Sequence, residues 1–204
     1  VVSESFSQYQ SFSASFLKGD KMNVLLTSAG FENPKIAEVF LGLVDKAPED
    51  IRVVFIPTAA NSAESIAMLP KCMNDLLSIG IKSDHILVYD LHFKLSYRIL
   101  QTYDAVYLCG GSAEYLIKRV NKTGFRKVLL RYVRNNGIYV GVSAGSYIAA
   151  NNVKHNLGLI NKLLTVHCDT GEPAGPLDTD KENITLTNNQ ALLLKAAQEI
   201  TVLE

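Results

Sequence analysis

From Asn23 onward the chain alternates between short, unbroken apolar runs and longer stretches in which apolar residues return every three or four positions. The runs are Val24-Leu25-Leu26-Thr27, residues 51–56, Ile86-Leu87-Val88-Tyr89, Ala105-Val106-Tyr107-Leu108 and Ile138-Tyr139-Val140. The stretches between them predict helices over about 34–45, 63–79 (stopping at Gly80), 97–100, 113–120 and 124–135. A strand with one wet face alternates apolar and polar residues, whereas an unbroken apolar strand is covered on both faces. Such strands alternating with helices predict an α/β fold, a three-layer sandwich with a mostly parallel central sheet flanked by helices.

After about residue 150 the pattern changes. Leu163-Leu164-Thr165-Val166, Ile184-Thr185-Leu186-Thr187 and Ile200-Thr201-Val202-Leu203 read as short strands, forming an edge or a small extra antiparallel element near the C-terminus. No internal repeat or linker divides residues 22–204, which are expected to form one domain. Residues 1–21 differ: they are rich in serine and interleaved with Phe6, Tyr9, Phe12 and Phe16, without the charged start and small-residue cleavage site of a signal peptide. They are expected to be an accessory segment.

Composition narrows the function classes. Nearly half of the 204 residues are hydrophobic (48%), which excludes a disordered chain. Twenty Lys and Arg balance twenty Asp and Glu with no basic cluster, so neither nucleic acid nor an anionic membrane is expected as a partner. No apolar run approaches the roughly 18 residues that span a bilayer. Cys72, Cys109 and Cys168 are odd in number and widely spaced, giving no disulfide framework, and a reducing, cytoplasmic setting is expected. His85, His92, His155 and His167 lack zinc-type spacing, so no metal is expected.

The chemistry concentrates in Gly141-Val142-Ser143-Ala144-Gly145, which follows an apolar run and leads into a helical stretch. A serine between two glycines at a strand-to-helix junction is the pattern of a nucleophile elbow. The sharp turn strains the serine backbone and admits only small residues two positions before and after it. It lifts Oγ over the sheet edge and leaves the Ala144 N–H at a helix N-terminus, where negative charge is favoured. Cys109-Gly110-Gly111-Ser112 follows another strand; its glycines either make a tight turn or bring a second N–H toward a reacting carbonyl. A serine nucleophile needs a base. His155 sits in a polar run and His167 at the end of a strand, a better place for a held side chain. Cys168 cannot share the face of His167 on an extended strand, and Cys109 reads as a small buried residue.

Phe55-Ile56-Pro57-Thr58-Ala59-Ala60, Leu108-Cys109-Gly110-Gly111, the segment from Tyr139 to Ser146 and Asn188-Asn189-Gln190-Ala191-Leu192 occur in an order that resembles the peptidase E family of aspartyl dipeptidases, with cyanophycinase a more distant relative. The resemblance runs from about Met22 to Glu204. It implies the class I glutamine amidotransferase-like (flavodoxin-like) fold, with serine where the amidotransferases carry cysteine. It places the nucleophile at Ser143, the oxyanion glycine at Gly111 beside the N–H of Ala144, and the base at His167. It further implies a small peptide, in particular a dipeptide, as substrate, no cofactor, and a monomer or homodimer. Two departures stand out. Residues 144–166 contain no Asp or Glu where the family carries the acid that orients the histidine. The candidate orienters are therefore amides (Asn151, Asn152, Asn161) or a nearby acid (Asp169, Glu172), unless Ser143 and His167 act as a dyad. No arginine follows Arg134, where the aspartyl dipeptidases use one on the substrate carboxylate; Lys181 is the cation that soon follows His167. The remaining acids of that loop (Asp178, Asp180, Glu182) are expected at the solvated surface, as are Asp169 and Glu172 if neither orients the ring.

Overall fold

The computed structural model describes residues 21–178, 180–196 and 199–204. The accessory segment expected at 1–21 lies outside them, except for Lys21. In chain order the elements are β1 (Lys21–Thr27), α1 (Pro34–Val44), β2 (Val53–Ile56), α2 (Ala63–Ala67), α3 (Leu69–Leu77), β3 (Ile86–Val88), α4 (Tyr97–Leu100), β4 (Ala105–Leu108), α5 (Ala113–Lys122) and α6 (Phe125–Arg134). They continue as β5 (Ile138–Val142), α7 (Ala144–Ala149), β6 (Leu163–Thr165), β7 (Gly175–Pro176), β8 (Asn183–Thr185), β9 (Ala191–Ala196) and β10 (Glu199–Leu203).

Eight strands form one sheet in the order β3-β2-β4-β5-β1-β9-β10-β7. The five strands from β3 to β1 run parallel, and β9, β10 and β7 extend the sheet antiparallel beyond β1. The period of two along each strand sorts side chains to opposite faces. Leu25, Val53, Phe55, Tyr107 and Val140 pack against Ile36 and Phe40 of α1 and Leu76 of α3. Val24, Leu26, Val54, Val106 and Tyr139 pack on the other face with Leu116 and Val120 of α5, Leu129 of α6 and Ile148 of α7. This is the expected three-layer sandwich, and the unbroken apolar runs of β1, β2, β4 and β5 are buried on both sides; β3, also read as an unbroken apolar run, is the edge strand and only half-buried, with Val88 exposed.

Three local expectations are corrected. The helix expected over 63–79 is two helices meeting at Met68; Pro70 has no N–H to donate and its ring crowds the carbonyl four residues back. The expected antiparallel element near the C-terminus is present as β9, β10 and β7, but two of the three late strands, β6 and β8, form a separate small sheet and pair in parallel. β10 instead joins the main sheet through β9, a central strand whose Leu192-Leu193-Leu194 run is as apolar as the parallel ones. Glu172 is not a solvated loop acid: it is 5% exposed, its carboxylate accepting from Lys181 Nζ at 2.5 Å and from the N–H of Thr185 at 3.0 Å. Among the described residues no helix is long and apolar enough to cross a membrane.

A buried polar contact ties the helical layer to the sheet. Asp75 of α3 accepts from the Tyr107 hydroxyl at 2.6 Å and from the N–H of Phe31 at 3.0 Å through the same oxygen. Burial raises its pKa above the ordinary carboxylate value, and the two donors only partly offset that. A raised folded-state pKa means that folding takes up protons, so this group's contribution to stability falls as pH rises from the ordinary value through the raised one. Asp75→Asn keeps an acceptor for both donors and is expected to lose that slope, gaining on the wild type between pH 4 and 7 in urea denaturation. Asp75→Ala orphans the tyrosine hydroxyl and is expected to cost about 1–3 kcal/mol at either pH.

Candidate active site

Parallel strands end on one edge, and there the polar turns gather: Ser28 after β1, Thr58 to Ala60 after β2, Gly110 and Gly111 after β4, and Ser143 after β5. Ser143 has φ 47° and ψ −101°, a strained conformation held from both sides. Its N–H donates to Thr27 O at 3.1 Å, and the Ser146 hydroxyl lies 2.8 Å from Thr27 O and 2.9 Å from Gly141 O. Both flanking glycines are sterically required. A Cβ on Gly141 would lie 2.7 Å from the Gly145 carbonyl carbon, and one on Gly145 would lie 2.5 Å from Leu108 O.

Gly110 and Gly111 run alongside. A Cβ on Gly110 would touch Ser143 Cβ at 3.4 Å, which measures how near this turn comes to Ser143. Gly111 has φ +134°, and a Cβ there would overlap Ala59 O, the acceptor of the Ser112 N–H at 2.8 Å. The N–H groups of Gly111 and Ala144 donate to no other described residue. One of these N–H groups belongs to the residue after Ser143 and the other to the residue after Gly110, and donors left without a partner are what holding an oxyanion requires.

His167 enters from the segment after β6, with φ +61°. Its N–H donates to the buried hydroxyl of Ser28 at 2.9 Å. Its Nε2 is 3.1 Å from Ser143 Oγ, and its Nδ1 is 2.7 Å from Asn188 Oδ1. The Ser28 hydroxyl also donates to Asn188 Oδ1, at 3.4 Å. With the amide oxygen on that side, Nδ1 carries the proton and Nε2 presents its lone pair to the serine, the tautomer a general base needs. The structure thus brings Ser143, His167, Gly111 and Ala144 together.

None of the candidate orienters holds the ring. Asn161 Oδ1 accepts from Asn151 Nδ2 at 2.6 Å, and Asn152 pairs with the backbone of Leu164 on β6 at 2.6 and 3.0 Å. All three amides stay with the chain returning from α7 and stabilise it instead. Asp169 makes no hydrogen bond to the imidazole, and Glu172 is committed to Lys181 and Thr185. Burial raises the Glu172 pKa, but these partners outweigh it and hold the group below its ordinary value. The ring partner is Asn188, and its turn is braced by buried Gln190, which accepts from the Thr187 N–H at 3.1 Å and donates to Glu172 O at 2.7 Å. The signal for Asn188 lay in the Asn-Asn-Gln-Ala-Leu segment, but nothing local in that segment marks a partner for a histidine 21 residues earlier. His155 lies away from the site, its carbonyl held by Asn121 and Arg126. Cys168 Sγ turns back to Thr165 O at 3.6 Å. Among the described residues no group of three or more His, Cys, Asp or Glu side chains is placed to hold a metal ion.

Comparison with known proteins shows the family of the chain. The profile of Peptidase family S51 matches residues 24–159. An uncharacterized peptidase of Listeria monocytogenes is 25% identical over 142 residues, covering 70% of this chain and 60% of its own. Uncharacterized peptidases of Listeria innocua and Pasteurella multocida are 26% and 24% identical over 103 residues, half of this chain. The chain thus spans 60%, 49% and 50% of the lengths of these relatives. Among solved structures, a peptidase E candidate from Listeria monocytogenes EGD-e superposes with a TM-score of 0.67 at 20% identity, covering 90% of this chain and 98% of that one. A peptidase from an acI-B1 Actinobacterium gives 0.61 at 16% identity, covering 91% and 89%.

Proposed function

Because the chain belongs to peptidase family S51, we propose that it is a serine-type peptidase acting on dipeptides or other small peptides, with Ser143 as nucleophile and His167 as its base. Ser143 Oγ attacks the scissile carbonyl while its proton passes to His167 Nε2. The N–H groups of Gly111 and Ala144 hold the oxyanion. His167 then returns the proton to the leaving amine, and water, activated by the same nitrogen, hydrolyses the acyl-enzyme. No step calls for a cofactor. The observation that carries this reading is the continuous line from Ser143 Oγ through the imidazole to Asn188, with contacts of 3.1 and 2.7 Å. The missing arginine after Arg134 favours a second reading, an esterase or amidase of different specificity with the same machinery.

Treatment with a fluorophosphonate at neutral pH is expected to give a single adduct on Ser143, read by peptide mass spectrometry and lost in His167→Ala. A folded protein that gives no adduct would leave a ligand-binding role in place of catalysis. Hydrolysis of dipeptides against small esters and amides separates the two catalytic readings.

Asn188 fixes the ring but carries no charge to stabilise the imidazolium that forms. Asn188→Ala is expected to slow acylation by about a hundredfold, because the ring loses its partner and tautomer. Asn188→Asp puts a carboxylate at the same oxygen position and is expected to raise the rate roughly tenfold, since a charge-assisted bond is about twice as strong as a neutral one. Stopped-flow acylation by a nitrophenyl ester checks both; equal rates in all three proteins would remove Asn188 from the mechanism.

A further inference from the structure

Beside the Gly110-Gly111 turn lies a cleft that the Ser143 and His167 contacts do not use. It measures about 590 Å³, begins at Ser112, the residue after Gly111, and follows α5 past Tyr115 and Lys118, with Lys154 and His155 forming part of the opposite wall. Both walls are fixed. Asn121 Nδ2 and Arg126 Nη1 donate to His155 O at 3.3 and 2.9 Å, and His155 itself has φ +58°. On the α5 side the Tyr115 hydroxyl is 3.0 Å from His92 Nε2, whose Nδ1 is 2.8 Å from Asp90 Oδ1, and Thr58 donates to that same oxygen at 3.0 Å. His92 thus holds the Tyr115 hydroxyl on the rim of this cleft and is itself backed by Asp90 and Thr58, and none of these three side chains takes part in the Ser143 chemistry.

The charges along the cleft are unequal. Lys118 and Lys154 line it and form no ion pair among the described residues; Glu114 is the one acid on its wall. The distance from the oxyanion turn is set by the helix: six residues from Ser112 to Lys118 rise about 9 Å. An extended peptide covers that span in about three residues, at roughly 3.3–3.6 Å each. We propose that this cleft is an extended subsite for acidic peptides, in which Lys118 and Lys154 receive a carboxylate about three residues from the bond facing Ser143, with the Tyr115 hydroxyl beside it. The assignment rests on the peptidase reading for its substrate but not for its ligand: the surface selects tri- and tetrapeptides bearing an acid rather than dipeptides.

The test separates binding from chemistry. Tetra-alanine peptides carrying a single Glu at each position in turn, and their Gln counterparts, are titrated calorimetrically into the Ser143→Ala protein. One Glu peptide is expected to bind at least tenfold tighter than its Gln partner, and the Lys118→Ala/Lys154→Ala variant on the same background is expected to lose that difference. In the wild type the same pair of lysine substitutions should raise KM for that peptide about tenfold, leaving kcat and fluorophosphonate labelling of Ser143 unchanged. Equal binding of all Glu and Gln pairs, or a preference that survives loss of both lysines, overturns the subsite. Selective binding without any labelling of Ser143 would keep the subsite and discard the peptidase reading.

Discussion

Ser143→Ala is expected to lower kcat toward any substrate the protein hydrolyses by about 10⁶-fold, His167→Ala by a similar factor, and the double variant by no more than either alone. The reason is geometric. Oγ and Nε2, 3.1 Å apart, act in one proton transfer; without the base the hydroxyl is a weak nucleophile, and without the hydroxyl the base has nothing to activate. At about 1.4 kcal/mol per factor of ten, each loss is about 8 kcal/mol of transition-state stabilisation. The activity left should still exceed the rate in water, because the Gly111 and Ala144 donors remain. Single-turnover hydrolysis of a nitrophenyl ester by the four proteins measures this cycle. Losses that multiply in the double variant would mean that serine and histidine act separately, and the proposed pair would fall.

The second large effect is expected at Gly111. Gly111→Ala places a Cβ where Ala59 O stands, at a φ of +134° that an L residue avoids, so the turn must move. Moving it shifts the N–H of residue 111 away from the oxyanion, and loss of one such donor costs about 10²–10³-fold in kcat, or roughly 3–4 kcal/mol. Gly110→Ala is the control. Its Cβ meets Ser143 Cβ at an ordinary 3.4 Å without a positive φ, so a much smaller loss is expected. Circular dichroism establishes that both variants fold, and kcat then separates them; a folded Gly111→Ala protein with unchanged kcat would take that N–H out of the oxyanion hole.

How much was legible beforehand depends on the range over which each feature is set. The unbroken runs at 24–27, 53–56, 105–108 and 138–142 revealed buried parallel strands because burial on both faces leaves no polar position in a strand. The elbow was legible because its constraint spans five residues: Gly141 and Gly145 pack against each other's turn and against Leu108 O. The Gly110-Gly111 turn was readable only in part, since either a tight turn or a donor would use glycine. Its side-by-side placement with Ser143 comes from the parallel pairing of β4 with β5, in which Leu108 faces Gly141.

The rest was decided at long range. The sequence by itself determined the layered α/β fold, the serine elbow and the strand end carrying the histidine, because each is written in local spacing. Only the tertiary structure decided what stands behind that histidine. β9, antiparallel against β1, carries the turn containing Asn188 to the sheet edge, where the buried Ser28 hydroxyl meets both the His167 backbone and the Asn188 amide. An asparagine with an exposed side chain looks the same in sequence whether it faces water or an imidazole. The identity of its partner follows from the place of β9 beside β1, and that place is set by pairs such as Val24 with Leu194, which lie near opposite ends of the domain in sequence.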